Sequence, residues 1–175
     1  MLFPAETRDD TVTYFKVIIR FIGDDCLYYS SDSYTIITVY YPTGGFITGG
    51  GWYMANDEVT ELFGKANLGF NVKNKEGIST GSFEFHFKIG HLRIKSTNID
   101  WLVISGNNAY LKGQGRIKDI NGYFFFVTAK DYGKPGTGVD EIEITIWDGD
   151  PYNPDSSLVH SSKNLLGGGN ISIHK

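Results

Sequence analysis

The residue types with most chemical potential gather towards the C-terminal part of the chain. Asp131, Asp140, Asp148, Asp150, Asn153 and Asp155 place carboxylate and amide oxygens in loop-type sequence around one expected strand pair. A hard cation such as Ca²⁺ takes roughly six to eight oxygen ligands, so loop acids beside glycines and carbonyls have suitable chemistry. The run DGDPYNPD at 148–155 lacks the central Gly and terminal Glu of an EF-hand. The same residues also favour Asx-turns on a solvated surface, and both readings stand. Asp24, Asp25 and Asp32 form a second, sparser acid group.

Other constellations point less clearly to chemistry. Glu141 and Glu143 sit two apart on a strand pattern, about 7 Å between α-carbons. That separation suits a glycosidase pair, but two acids on the wet face of one strand are common. Gly77-Ile78-Ser79-Thr80-Gly81 has the letters of a nucleophile elbow, yet the Phe83, Phe85, Phe87 alternation that follows is a strand, so Ser79 reads as a turn residue. His86, His91, His160 and His174 have no metal-ligand spacing. Gly49 to Gly51 precede neither a helix pattern nor a Walker-type lysine, and their expected use is close backbone approach or positive φ. No enzymatic activity is expected. Trp52, Tyr53 and Tyr152 are flanked by turn residues and could stack on a sugar ring. Trp101 and Trp147 lie within apolar strands and are expected in the core.

These side chains need strands to carry them. In Gly122 to Asp148, the first run, with Phe124, Phe125 and Phe126, is apolar on both faces, as in a strand within a layered sheet. The second alternates Ile142, Ile144 and Ile146 with Glu141, Glu143 and Thr145, which predicts one core face and one wet face. Between them, Gly133, Pro135, Gly136 and Gly138 mark a hairpin loop. Upstream, 11–22 and 33–41 predict a hairpin, and 65–72, 81–89, 92–96, 101–105, 109–112 and 115–120 predict further strands. Asn56 to Leu62 predicts the one short helix, with Asn56 as its N-cap. The tail, Gly167 to Gly169 and then Ile171 and Ile173, is expected to close the sheet. The fold class is therefore all-β, an antiparallel sandwich or jelly-roll-like module with at most one short helix.

The chain has 175 residues, 15% aromatics, 22 glycines and a formal charge of −4. It can bury a core without disulfides, and its one cysteine, Cys26, reads as a small buried hydrophobe. The acidic balance, with no basic face visible along the sequence, argues against nucleic acid. No apolar run reaches the roughly 20 residues of a membrane span, and no signal peptide is visible in these residues. Pro42-Thr43-Gly44-Gly45 is the expected domain boundary, dividing 1–42 from 43–175.

The segments GGFITGGGW, FGKANLGFNVK, FEFHFKIGHLRIKST, DWLVISGNNAYLKGQG, GYFFFVTAKD, GVDEIEITIWD and LGGGNISIHK together resemble the post-COAP type of β module, over residues 45–175. Residues 11–42 resemble the last strands of a PKD- or Ig-like repeat. The resemblance implies a non-catalytic structural or adhesion module of a secreted or cell-surface protein. The unpaired edges of the N-terminal strand pair lead us to expect other extracellular domains or copies of itself as partners, and the aromatic residues make a glycan the alternative. The resemblance carries no catalytic motif.

Overall fold

The structure, a computed structural model, describes residues 44–175 throughout and the backbone of 12–21 and 31–40. Cys26, Asp24, Asp25, the side chain of Asp32 and the expected boundary at Pro42-Thr43 lie outside what is described. The chain divides into two units between Tyr41 and Pro42. In the first, β1 (Val12–Phe21) and β2 (Ser31–Tyr40) pair antiparallel from Val12 opposite Tyr40 to Phe21 opposite Ser31.

The second unit is one antiparallel sheet. Its strands are β3 (Gly45–Asn56), β4 (Phe63–Lys75), β5 (Ile78–Phe87), β6 (Leu92–Ser105), β7 (Asn108–Ile117), β8 (Ile120–Lys130), β9 (Glu141–Asp148), β10 (Ser157–Leu165) and β11 (Gly168–His174). Each strand from β3 to β10 pairs with its sequence neighbour, and β11 returns to pair with β3. The nine strands make one continuous curled sheet, a half-barrel, where a sandwich or jelly-roll was expected. Its curl supplies the second wall of the core that a sandwich would take from a second sheet.

The core follows from alternation. Ile142, Ile144 and Ile146 of β9 are fully buried, as are Phe83, Phe85 and Phe87 of β5 and Phe125 of β8. Residues of one parity fill the inside of the curl, and those of the other parity face out. Bulges in β6, β8 and β10 add bend where the sheet must turn. Beyond the Glu84–Lys95 pair, β5 and β6 splay apart. Side chains bridge the gap: Phe83 N donates to Ser96 Oγ, and Leu102 N donates to Ser79 Oγ, each at 2.9 Å.

Two joins draw the ends of the curl together. At one, the glycines of β3 and β11 face each other, Gly51 opposite Gly169 and Gly50 opposite Asn170. A Cβ on Gly169, whose φ is +114°, would run into the Gly50 carbonyl oxygen, and one on Gly51 into that of Gly168. Here the glycines permit backbone contact that no other residue allows. At the other, β10 comes against the second half of β3: Tyr53 OH lies 2.7 Å from Ser162 Oγ, and Asn164 Nδ2 donates to Met54 O at 2.9 Å.

No helix occurs among the described residues, so the helix expected over 56–62 is replaced by a turn. Asp57, not Asn56, organises it. Its Oδ1 accepts from Val59 N and its Oδ2 from the Thr60 hydroxyl, while its backbone accepts from Glu61 N and donates to Leu62 O. The Glu61 bond closes a single turn, and Glu61, with φ of +59°, ends it there and returns the chain to β4.

Candidate binding face

The six residues of the expected calcium site divide between the β8–β9 loop, with Asp131 and Asp140, and the 148–155 segment. Asp140 is fully buried: its Oδ1 accepts from Tyr132 N at 3.0 Å and its Oδ2 from Ile171 N at 2.8 Å. Asp131 Oδ2 accepts from Ile173 N at 3.1 Å. Both carboxylates thus pin the 131–140 loop to β11. Asp150 and Asn153 instead close turns in the β9–β10 loop, accepting from Tyr152 N and Asp155 N. Among the described residues no three His, Cys, Asp or Glu side chains converge as a metal site. In four of the six residues, Asp131, Asp140, Asp150 and Asn153, backbone N–H groups take oxygens that the ligand count had assigned to an ion.

The carboxylate pair on β9 is also engaged. Glu141 Oε1 lies 2.7 Å from Lys130 Nζ and 3.3 Å from Lys163 Nζ, and Glu143 Oε2 is 3.6 Å from Lys163. The Lys130 hydrogen bond holds the Glu141 carboxyl below its ordinary pKa, against the opposing effect of partial burial. A general acid needs the reverse.

One hydrolase-like set was not foreseen. Asp57, His160 and Ser162 line up with His160 Nδ1 3.1 Å from Asp57 Oδ1 and His160 Nε2 2.7 Å from Ser162 Oγ. The Asp57 contact is close but poorly aligned for a hydrogen bond. Tyr53 OH completes the row, and Phe85 and Phe87 pack on the imidazole with centroids 4.9 and 5.5 Å away. If Tyr53 donates to Ser162 and Ser162 to Nε2, the remaining proton on Nδ1 faces the Asp57 carboxylate. All four side chains are buried, so no substrate reaches the hydroxyl. The row is an internal clasp between β3 and β10. Burial lowers the His160 pKa below its ordinary value, although Asp57 opposes it, and burial raises that of Tyr53.

The proposed aromatic trio also separates. Tyr53 is fully buried in that clasp, while Trp52, its neighbour on β3, points to the opposite face, as adjacent strand residues must. Trp52 packs over Gly167 and Gly168 with Lys65 Nζ 4.4 Å from its ring. Only Tyr152 stands free, at 82% exposure.

Tyr152 has other company. It folds back from the β9–β10 loop over the outer face of the sheet, where Trp101, Lys112, Phe126, Trp147 and Pro151 line a groove of about 210 Å³ with it. Cross-strand register builds that face. Trp101 of β6 is opposite Lys112 of β7, Lys112 opposite Phe126 of β8, and Phe126 opposite Thr145 of β9. One row along, Gln114 is opposite Phe124 and Phe124 opposite Trp147. Trp101 and Phe126 meet edge to face at 5.6 Å, and Lys112 Nζ sits 4.4 Å from the Tyr152 centroid. The two tryptophans expected in the core are thus half-buried groove walls. A bulge between Ile99 and Trp101 puts both Asp100 and Trp101 outside, between buried Ile99 and buried Leu102. The two-sided apolar character of β8 has the same origin: its inner side is core and its outer side is this groove.

The same face carries a second hollow, of about 270 Å³, lined by His91, Arg93, Lys95, Arg116, Lys118 and Asp119. Lys95 and Arg116 are direct cross-strand partners. No basic face was visible along the sequence because these cations come from two strands and the turn after the second, and only register collects them. No family model, curated protein or solved structure matches this chain.

Proposed function

We propose that this chain is a non-catalytic binding module of an extracellular or cell-surface protein, and that it binds carbohydrate through the groove of Trp101, Lys112, Phe126, Trp147 and Tyr152. The observation that carries the reading is the set of aromatic rings gathered, through cross-strand register and a bulge, on the outer face of a sheet whose core is complete without them. Core needs do not explain them. A pyranose offers a C–H face to an aromatic ring and hydroxyls around its edge, and Lys112, Gln114 and Thr145 stand beside the rings as polar partners. At about 210 Å³ the groove is smaller than the roughly 300–1,000 Å³ of sites that enclose a drug-sized ligand. It admits one ring of a longer chain. The reading accords with the resemblance to post-COAP modules and with their non-catalytic role.

Titration of immobilised and soluble oligosaccharides, followed by tryptophan fluorescence and calorimetry, tests it. Trp101 and Trp147 should report binding, and Trp147→Ala or Tyr152→Ala should weaken it at least about tenfold with little change in melting temperature, because each stacking contact is worth about 0.5–1.5 kcal/mol beyond its buried area. Binding unaltered in both variants, or no saccharide bound at millimolar concentration, rejects the reading.

A further inference from the structure

The basic hollow and the aromatic groove share strand β7. Its outward residues run Lys112, Gln114, Arg116, with Lys118 in the turn that follows. Lys112 belongs to the groove; Arg116 and Lys118 belong to the hollow. Four residues of strand, at roughly 3.3 Å each, separate Lys112 from Arg116 by about 13 Å. We propose that the ligand is an acidic polysaccharide, one of whose rings stacks in the groove while a carboxylate or sulfate group further along the same chain sits in the hollow. This rests on the carbohydrate reading of the groove and adds the chemical class of the sugar.

The charge arrangement argues for an anionic occupant. The hollow is lined by four permanent cations against one carboxylate, Asp119, on a chain whose net charge is −4. Arg93 has its own partner, with its Nε 2.7 Å from Glu84 Oε1. Lys95 and Arg116 face each other directly across the ladder, a like-charge pair that Glu84, opposite Lys95 on its other side and shared with Arg93, offsets only in part. An anionic group there converts repulsion into two charge-assisted hydrogen bonds. The hairpin turn sets the third cation: Lys118 and Asp119 both have positive φ, +49° and +67°, in the two-residue turn between β7 and β8 where Asn-Gly would be least strained.

Nucleic acid fits less well. A single strand needs cations tracking every phosphate. Midway between groove and hollow, however, Gln114 Nε2 donates to the Asp100 carboxylate at 3.3 Å. A polysaccharide charged only at intervals passes that acid without a phosphate against it.

The test compares matched pairs on the whole chain: a polyuronate and its methyl ester, and a sulfated galactan and its desulfated form, with oligo(dT) at the same salt. At least one acidic form should bind about tenfold or more tightly than its neutral partner, with the preference fading as salt rises. A Lys95→Gln, Arg116→Gln double variant should bind neutral and acidic forms alike, and its melting temperature should change by no more than about 2 °C, because the lost repulsion between the two cations offsets the lost attraction of Lys95 to Glu84. Equal binding of neutral and acidic forms by the native chain overturns the inference and leaves the groove reading intact, as does a charge preference that survives in the double variant. Tighter binding of oligo(dT) overturns it in favour of nucleic acid. Loss of all saccharide binding removes both readings.

Discussion

The ammonium of Lys112 stands 4.4 Å from the ring centroid of Tyr152 and 5.6 Å from that of Phe124, so one cation joins a sheet residue to a loop ring. Such contacts are worth about 0.5–1 kcal/mol at exposed sites. The most exposed ring among the described residues is therefore held as a wall of the groove. Lys112→Met keeps the aliphatic stem and removes the charge. It should weaken saccharide binding severalfold through loss of order in Tyr152 while moving stability by less than about 1 kcal/mol. Calorimetry and ¹⁹F NMR of a fluorotyrosine-labelled sample would show both effects, and a Tyr152 signal unchanged by the substitution contradicts the coupling.

The buried clasp makes stability depend on pH. In the folded state His160 stays neutral to a pH below its ordinary value, chiefly because it is buried. The unfolded chain takes up that proton from about pH 6.5 downwards. Stability is thus complete above about pH 6.5 and falls as pH drops from there to the depressed folded value, by up to about 1.4 kcal/mol per unit. Burial alone would raise the Asp57 pKa, but the hydrogen bonds from Thr60, Ser161 and Val59 and the nearby His160 outweigh it and leave it lowered. The Asp57 contribution is present above about pH 4 and lost below it. Urea midpoints from pH 8 to 5 should fall for the native chain and stay flatter for His160→Gln; equal slopes refute the assignment.

Asp140 holds two buried N–H groups from segments far apart in sequence. Asp140→Ala leaves both donors without partners and should cost about 3–5 kcal/mol. Amide exchange should accelerate first at Tyr132 and Ile171. Protection unchanged at those two amides would show that other groups carry the join.

The turns around Asp150 and Asn153 are already closed by backbone donors. Excess EDTA, or added Ca²⁺, should accordingly move the melting temperature by less than about 1 °C. A rise of roughly 5–11 °C with Ca²⁺ would return those oxygens to ion binding, since a ligand at 100 times its dissociation constant contributes about 2.7 kcal/mol.

Gly169→Ala should cost about 2–4 kcal/mol, because its φ of +114° and the facing Gly50 carbonyl exclude a Cβ. Gly50→Ala is the control. The nearest atom to its added carbon would be 3.5 Å away, an ordinary contact. Equal effects of the two substitutions would refute the close-approach explanation.

Much of this fold was legible along the chain, and the failures have physical causes. Ile142, Ile144 and Ile146 declared their inward face, and the same alternation already assigned Trp147 to the other side, although its hydrophobicity suggested core. Trp52 and Tyr53, as neighbours on a strand, could never have shared a platform. Trp101 was different: only the bulge beside it reverses its direction, and a bulge leaves no mark in composition. Strand β10 went unseen because its inward positions are His160 and Ser162, whose polarity hides the alternation until the clasp is known. Lys95 and Arg116 became neighbours only once the register of β6 against β7 was fixed.

The order of the strands also sets a sequence of events for folding. From β3 to β10 every pairing joins neighbours along the chain, so the sheet can lengthen hairpin by hairpin as the polypeptide emerges from the ribosome. The β11–β3 pairing alone requires residues near 45 and near 174 to meet, and loop closure over that separation is entropically the most demanding step. Until residues 168–174 are synthesised and docked, the glycine stretch of β3 is an uncapped template for other strands. A nascent or truncated chain that stops short of them should therefore be a preferred client of chaperones.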